Sequence, residues 1–89
     1  MYTVEFLPKA ERFLKRQNAK TADLIAEKID ALAANPFAPN NNVIKLVGEE
    51  GYRLRVGNIR VMYRIHNNVL TIVVFNMGFR GDIYKGGSK

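Results

Sequence analysis

Four arginines fall within twelve residues, Arg53, Arg55, Arg60 and Arg64, and Arg80, Tyr84 and Lys85 follow them in the last part of the chain. Arginine presents a planar, permanently charged fork that matches phosphate oxygens, whereas its pKa above about 12 makes it a poor general base. Tyrosine can pass a proton or stack on a base. Such a set is suited to gripping phosphate and to stabilising charge that develops on it. An RNA strand carries its own nucleophile in the 2′-hydroxyl, so these residues could promote cleavage by positioning that oxygen and stabilising the phosphorane and the leaving oxygen. Chemistry of that kind requires no metal.

Other chemistries lack their residues. There is no cysteine and a single histidine, His66, which reads as an exposed turn residue; thiol catalysis and a structural zinc site are thereby set aside. The spacing of Gly48, Gly51 and Gly57 matches no phosphate loop, so no nucleotide cofactor is implied, and the expected cofactor and metal complement is none. The net charge of +6 is unevenly placed. Up to residue 50 basic and acidic residues balance, whereas from residue 51 Asp82 is the only acid against Arg53, Arg55, Arg60, Arg64, Arg80, Lys85 and Lys89. That asymmetry points to a polyanionic partner, nucleic acid or an acidic protein.

The arginines are placed by a hairpin. In Tyr52-Arg53-Leu54-Arg55-Val56-Gly57-Asn58-Ile59-Arg60-Val61-Met62-Tyr63 the side chains alternate about a two-residue Gly-Asn break, which is the pattern of two antiparallel strands and a tight turn. With Val56 and Ile59 flanking the turn, Arg55 lies opposite Arg60, Leu54 opposite Val61, Arg53 opposite Met62 and Tyr52 opposite Tyr63. One face then carries Tyr52, Leu54, Val56, Ile59, Val61, Tyr63 and Ile65, and the other carries the four arginines. Like charges opposed across strands cost roughly 0.2–1 kcal/mol per pair, a penalty that an anion removes and that solvent-splayed side chains largely avoid.

The remaining elements must support that hairpin. Residues 2–6 alternate as a first strand; Pro8 opens a helix with Ala10, Phe13 and Leu14 on one side and Lys9, Arg12, Lys15 and Arg16 on the other, ending near Asn18. Thr21 is expected to cap a second helix whose stripe is Leu24, Ile25, Lys28, Ile29 and Leu32, stopping before Asn35-Pro36. The two helices form an αα-hairpin. A loop with Phe37 anchored against the helices follows, and Val43 to Gly48 leads into the central hairpin. A second two-residue turn, Asn67-Asn68, introduces a strand over 69–77 that sets Leu70, Ile72 and Val74 on the core face. It also sets Val73, Phe75 and Met77 beside the arginines, with Phe75 next to Arg60, as either a minor second core or a platform for a base or a partner's apolar helix. The segment from Gly78 leaves the sheet, flexible enough to carry Arg80 and Tyr84 beside Arg55 and Arg60.

Eighty-nine residues make one domain, expected over 1–85 with 86–89 as a frayed tail. The fold class is α+β, in the order β-α-α-β-β-β, with an antiparallel sheet and the helical hairpin on one face. No apolar run approaches a membrane span, and the absence of cysteine fits a cytoplasmic protein.

The element order, the Tyr52 to Tyr63 motif, the apolar strand after it, and Gly78-Phe79-Arg80 followed by Ile83-Tyr84 resemble the RelE/ParE superfamily of toxin–antitoxin toxins over nearly the whole chain. The resemblance implies a microbial RNase-like fold with helices on one side of the sheet and the basic surface on the other. For the RelE branch it implies cleavage of mRNA in the ribosomal A site, with the ribosome and a cognate antitoxin as partners. For the ParE branch it implies DNA gyrase as the target, without nuclease residues. Carried over position by position, Arg53 and Arg55 match two basic site residues that are often lysine, Arg60 the phosphate-binding arginine, Arg80 the arginine that assists the leaving group, and Tyr84 the C-terminal tyrosine. Retention of Arg60, Arg80 and Tyr84 favours the RelE branch. The catalytic set is then Arg55, Arg60, Arg80 and Tyr84, and the RNA-binding set is Arg53, Arg64, Phe75 and Lys85. Phe79 and Gly81 depart from the pattern, standing where histidine and a second arginine are frequent.

Overall fold

A computed structural model describes the backbone of residues 1–87 and the side chains of residues 1–83. The elements run β1 (Thr3–Phe6), α1 (Pro8–Lys15), α2 (Ala19–Ala34), β2 (Val43–Lys45), β3 (Tyr52–Val56), β4 (Ile59–His66), β5 (Thr71–Phe79) and α3 (Arg80–Gly87), with a 3-10 turn at Asn67–Val69 between the fourth and fifth strands. The five strands form one sheet in the order β1-β5-β4-β3-β2.

The α+β fold with an N-terminal helical hairpin on one face is the architecture expected. The sheet differs in one respect: it is mixed, because β1 pairs parallel with β5 from Thr3↔Thr71 to Phe6↔Val74. The chain between these two strands, residues 7–70, holds the rest of the sheet, and within it the helical hairpin carries the chain from β1 to β2 at the opposite edge. Two further elements complete the fold, the short edge strand β2 on β3 and the terminal helix α3.

Each helix begins where its backbone amides find a substitute partner or need none. Proline at the start of α1 gives up an amide that no preceding turn could bond. The α2 cap is Asn18, whose side-chain oxygen accepts the Thr21 amide at 2.8 Å, so Thr21 is the donor and not the expected cap. Ile25, Ile29, Leu32 and Ala33 of α2, with Ala10 of α1, pack on Leu54, Val56, Val61, Tyr63, Ile72 and Val74 of the sheet. Leu24 falls outside this stripe and is exposed, as is Phe37, which at 58% exposure does not anchor the loop.

The β3–β4 register is the one expected, from Tyr52↔Tyr63 to Val56↔Ile59. The β4–β5 register is not. The connection is longer than two residues and closes on Leu70 in the left-handed region (φ 47), so Leu70 is exposed and the strand starts at Thr71. Pairing then shifts between Met62 and Tyr63: Tyr63 faces Val74 while Met62 faces Asn76, which leaves Phe75 as the extra residue of a bulge. Beyond the bulge the alternation inverts. Met77 joins the core opposite Val61, Asn76 takes its place on the arginine face, and Phe75 stands near Arg64 instead of Arg60.

Tyr63 is fully buried, and among the described residues its hydroxyl has no hydrogen-bond partner. Its ring stacks on Tyr52 at 5.6 Å, and burial, with the neighbouring Tyr52 adding to it, raises its pKa from 10.0 to about 12. In the unfolded chain the phenol ionises near its ordinary value, whereas in the folded chain it stays neutral to about 12. The associated stability is therefore complete below the ordinary value and is lost as pH rises through the folded one. Tyr63→Phe is expected to leave the neutral-pH melting temperature unchanged or raised, since it removes a buried hydroxyl without a partner. Melts of both proteins across the alkaline range should show the parent losing more stability than the variant; parallel curves would count against a buried, neutral Tyr63.

Candidate phosphate-binding face

The hairpin turn at Gly57-Asn58 is the centre of the site. Gly57 takes φ +60, a left-handed conformation suited to a two-residue hairpin connection, and the turn's two carbonyls are both used. Gly57 O accepts the Arg60 Nη1 donor at 2.9 Å, and Ile59 O accepts the same nitrogen at 3.2 Å. Asn58 O accepts the backbone amide of Arg80 at 2.7 Å. The chain therefore does not leave the sheet through a flexible segment: β5 passes directly into α3, whose first residue is held to the turn that holds Arg60.

Arg55 stands opposite Arg60 on the same face. Its Nε and Nη2 donate to Asn42 Oδ1 at 3.3 and 2.9 Å, and its backbone amide donates to Asn42 O at 2.8 Å. Asn42 is itself set by a local turn, its amide bonded to Asn40 Oδ1 at 2.8 Å. Sequence reasoning left Asn42 in a loop. The asparagine run around it signals a turn, but nothing in the spacing connects it with a residue thirteen positions on.

Arg60 is only 8% exposed, and among the described residues no carboxylate pairs with Arg55, Arg60 or Arg80, whereas Lys15 and Glu11 on α1 pair at 3.8 Å. A buried guanidinium satisfied only by carbonyls, and facing a like charge across the strand pair, keeps its charge at a cost. Arg80 has an exposed side chain at the start of α3. Arg55, Arg60 and Arg80 thus gather around one turn. Tyr84 and Lys85 fall on α3, but their side chains lie outside the described residues.

Arg53 and Arg64 lie farther from the turn. Arg53, half-buried opposite Met62, lines a cavity of about 430 Å³ with Ile44, Leu46, Met62, Phe75 and Ile83. Met62 and Ile83, both buried, line this face, whereas Met77 belongs to the main core and Val73 is half-buried. Ile83 reaches it by packing over Gly78, where a Cβ would lie 3.4 Å from the Ile83 Cβ. Glu49 also lines the cavity, a carboxylate brought there by the chain between β2 and β3. Arg64 lies over Phe75, its guanidinium carbon 4.0 Å from the ring centroid. Phe79 faces the other way, edge-on to Phe13 of α1 at 5.2 Å and 72°. Among the described residues no group of three or more histidine, cysteine, aspartate or glutamate side chains could hold a metal, and no helix is long and apolar enough to cross a membrane.

The chain thus sets a helical hairpin on one face of a mixed sheet and arginines on the other. Residues 4–84 match the family model of the ParE toxin of the type II toxin–antitoxin system parDE, and the chain belongs to that family within the RelE/ParE superfamily. Its structure is similar to the archaeal RelE–RelB complex of Pyrococcus horikoshii, at 26% identity and a TM-score of 0.77 over 90% of this chain and 96% of that one. It is also similar to the RelBE2 toxin–antitoxin complex of Mycobacterium tuberculosis, at 27% identity and 0.73 over 89% and 98%. The isolated RelE toxin of Escherichia coli shares the fold, with a TM-score of 0.75 over 99% of this chain and 96% of that one at 17% identity. No curated protein matches the sequence.

If Arg60 is retained for an anion, removing its charge should separate stability from binding. Arg60→Met keeps much of the side-chain volume, and its melting temperature is expected to equal or exceed the parent's. Tripolyphosphate should stabilise the parent, by about 2.7 kcal/mol at a hundredfold excess over its Kd, and leave the variant nearly unaffected. Equal shifts of the two melting curves would mean that Arg60 takes no part in binding.

Proposed function

We propose that this toxin is an endoribonuclease that cleaves mRNA in the ribosomal A site and so stops translation. The observation that supports this reading best is Arg60, a buried cation with no carboxylate partner among the described residues, placed opposite Arg55 and joined through one turn to the start of the helix that carries Arg80. A phosphodiester laid across the turn would complete the coordination of Arg55 and Arg60. The 2′-hydroxyl of the preceding ribose gives its proton to water and attacks the phosphorus, charge builds on the phosphoryl oxygens, and the P–O5′ bond breaks as the 5′-oxygen takes a proton from Tyr84 or water, leaving a 2′,3′-cyclic phosphate and a 5′-hydroxyl. Arg55 and Arg60 serve the phosphoryl oxygens, Arg80 the leaving oxygen, and Tyr84 a proton or the base. Arg53, Arg64, Phe75 and Lys85 would hold the flanking strand. The residue set needs no metal, because the nucleophile belongs to the substrate and the charge is met by guanidinium.

The place of action is the cytoplasm, where ribosomes are found. The partner that restrains the toxin is a cognate antitoxin, a reading supported by the toxin–antitoxin complexes among its structural relatives. A second reading, poisoning of DNA gyrase, is favoured by the match to the ParE family model. It gives the buried Arg60 no phosphodiester to bind.

Expression without antitoxin should halt protein synthesis before DNA synthesis, as read by pulse labelling. DNA synthesis failing first, with intact mRNA and gyrase-linked breaks, would replace the first reading by the second. On programmed ribosomes under single turnover, Arg80→Ala should cleave about 10²–10³-fold more slowly than the parent while melting normally and still binding the ribosome. Cleavage at the parent rate would remove Arg80 from the site.

A further inference from the structure

Three features of the sheet converge on Phe75. The bulge opposite Met62 and Tyr63 gives Phe75 no partner on β4 and turns its ring onto the arginine face. Gly51, at φ +130, lets the backbone pass close to β4, where a Cβ would lie 2.7 Å from the Tyr63 carbonyl oxygen, and the ring edge lies alongside at contact distance, Phe75 Cε2 being 3.4 Å from that Cβ position. Arg64 then lays its guanidinium over the ring, 4.0 Å from its centroid. Four residues along β4 separate Arg64 from Arg60, about 13 Å at the rise of a strand, so this stack stands apart from the arginines at the turn.

The arrangement changes what the face can offer. An aromatic ring alone would be a stacking surface, but here Arg64 covers it. A guanidinium is planar, weakly hydrated and able to stack on both its faces, and a ring beneath it fixes its plane. We infer that Arg64, held flat by Phe75, is a platform on which one unpaired nucleobase of a single-stranded RNA stacks, at a distance from the turn where the phosphate is bound. The inference rests on the reading that this face takes RNA, and it moves the base contact from the Phe75 ring to the guanidinium that covers it. The platform is tolerant of sequence, because every base has a π-face and the contact uses no hydrogen-bond code. Any base selectivity it contributes follows stacking strength.

The alternative role for Arg64 is to shield Phe75 from water, and the two are separated by keeping its charge while removing its plane. The experiment is a fluorescence anisotropy titration of the full chain with a single-stranded RNA dodecamer, and with the same dodecamer carrying abasic sites in its central positions. The parent should bind the intact strand about tenfold more tightly than the abasic one, the range expected for a stacked base. Arg64→Lys should bind the abasic strand as the parent does, with the same salt dependence, yet lose most of the preference for the intact strand. Phe75→Leu, which removes the support, should lose part of that preference at an unchanged salt slope. A parent that binds both strands equally overturns the platform and leaves the phosphate-binding reading standing. A parent that binds neither strand at low salt overturns the platform, while the nuclease reading stands or falls separately on cleavage by the parent on programmed ribosomes. An Arg64→Lys protein that keeps the full preference assigns Arg64 to shielding Phe75, and a melting temperature lowered without any change in preference does the same.

Discussion

The hydrogen bonds made by two carbonyls govern how this molecule presents its charge. In the β3–β4 turn, Gly57 O is taken by the Arg60 guanidinium and Asn58 O by the amide of Arg80. A two-residue hairpin turn leaves these oxygens pointing outward, and each must be satisfied by protein or water. Here one is satisfied by a charge and the other by the first residue of a helix. The same turn thereby sets the strand register, fixes the buried Arg60 side chain and determines where α3 begins. A change in turn length would move Arg55, Arg60 and Arg80 relative to one another together.

That arrangement works against stability in the free protein. Arg60 is removed from most of its solvent, faces Arg55 and, among the described residues, receives no carboxylate. Removal of one such charge in favour of an apolar side chain is commonly neutral or favourable. Its presence is more readily understood as preorganisation: donors already desolvated and aimed need little rearrangement when an anion arrives. Tyr63 on the opposite face is a milder case, since its hydroxyl is buried without a partner, yet the ring fills the centre of the core.

How far the sequence could be read depended on whether a pattern was local. The Tyr52 to Tyr63 hairpin was legible in full, because strict alternation about Gly-Asn leaves one register. The β4–β5 pairing was not, because a bulge adds one residue without any composition signal, and a leucine at φ 47 lengthens a turn that asparagines alone would close. Met77 and Phe75 moved with that shift. The parallel pairing of β1 was hidden for a different reason: residues 3–6 look the same whether their partner runs up or down. Arg55 and Arg60 were placed facing each other from alternation alone. Asn42, Glu49 and the anchoring of Arg80 depend on contacts between distant segments, and only the folded chain reveals them.

The parallel pairing of β1 with β5 also sets the order in which the sheet can be completed. Thr3 waits for Thr71, so the first strand made is paired by the last strand made. Contacts so far apart in sequence form late, since the intervening chain must first be closed into a loop. On a ribosome the chain emerges N-terminus first, and until β5 has emerged both β1 and one side of β4 lack their neighbour. α3 follows β5, so the turn that gathers the arginines cannot yet hold Arg80. A chain still under synthesis therefore cannot present the completed cationic face to the machine that is making it.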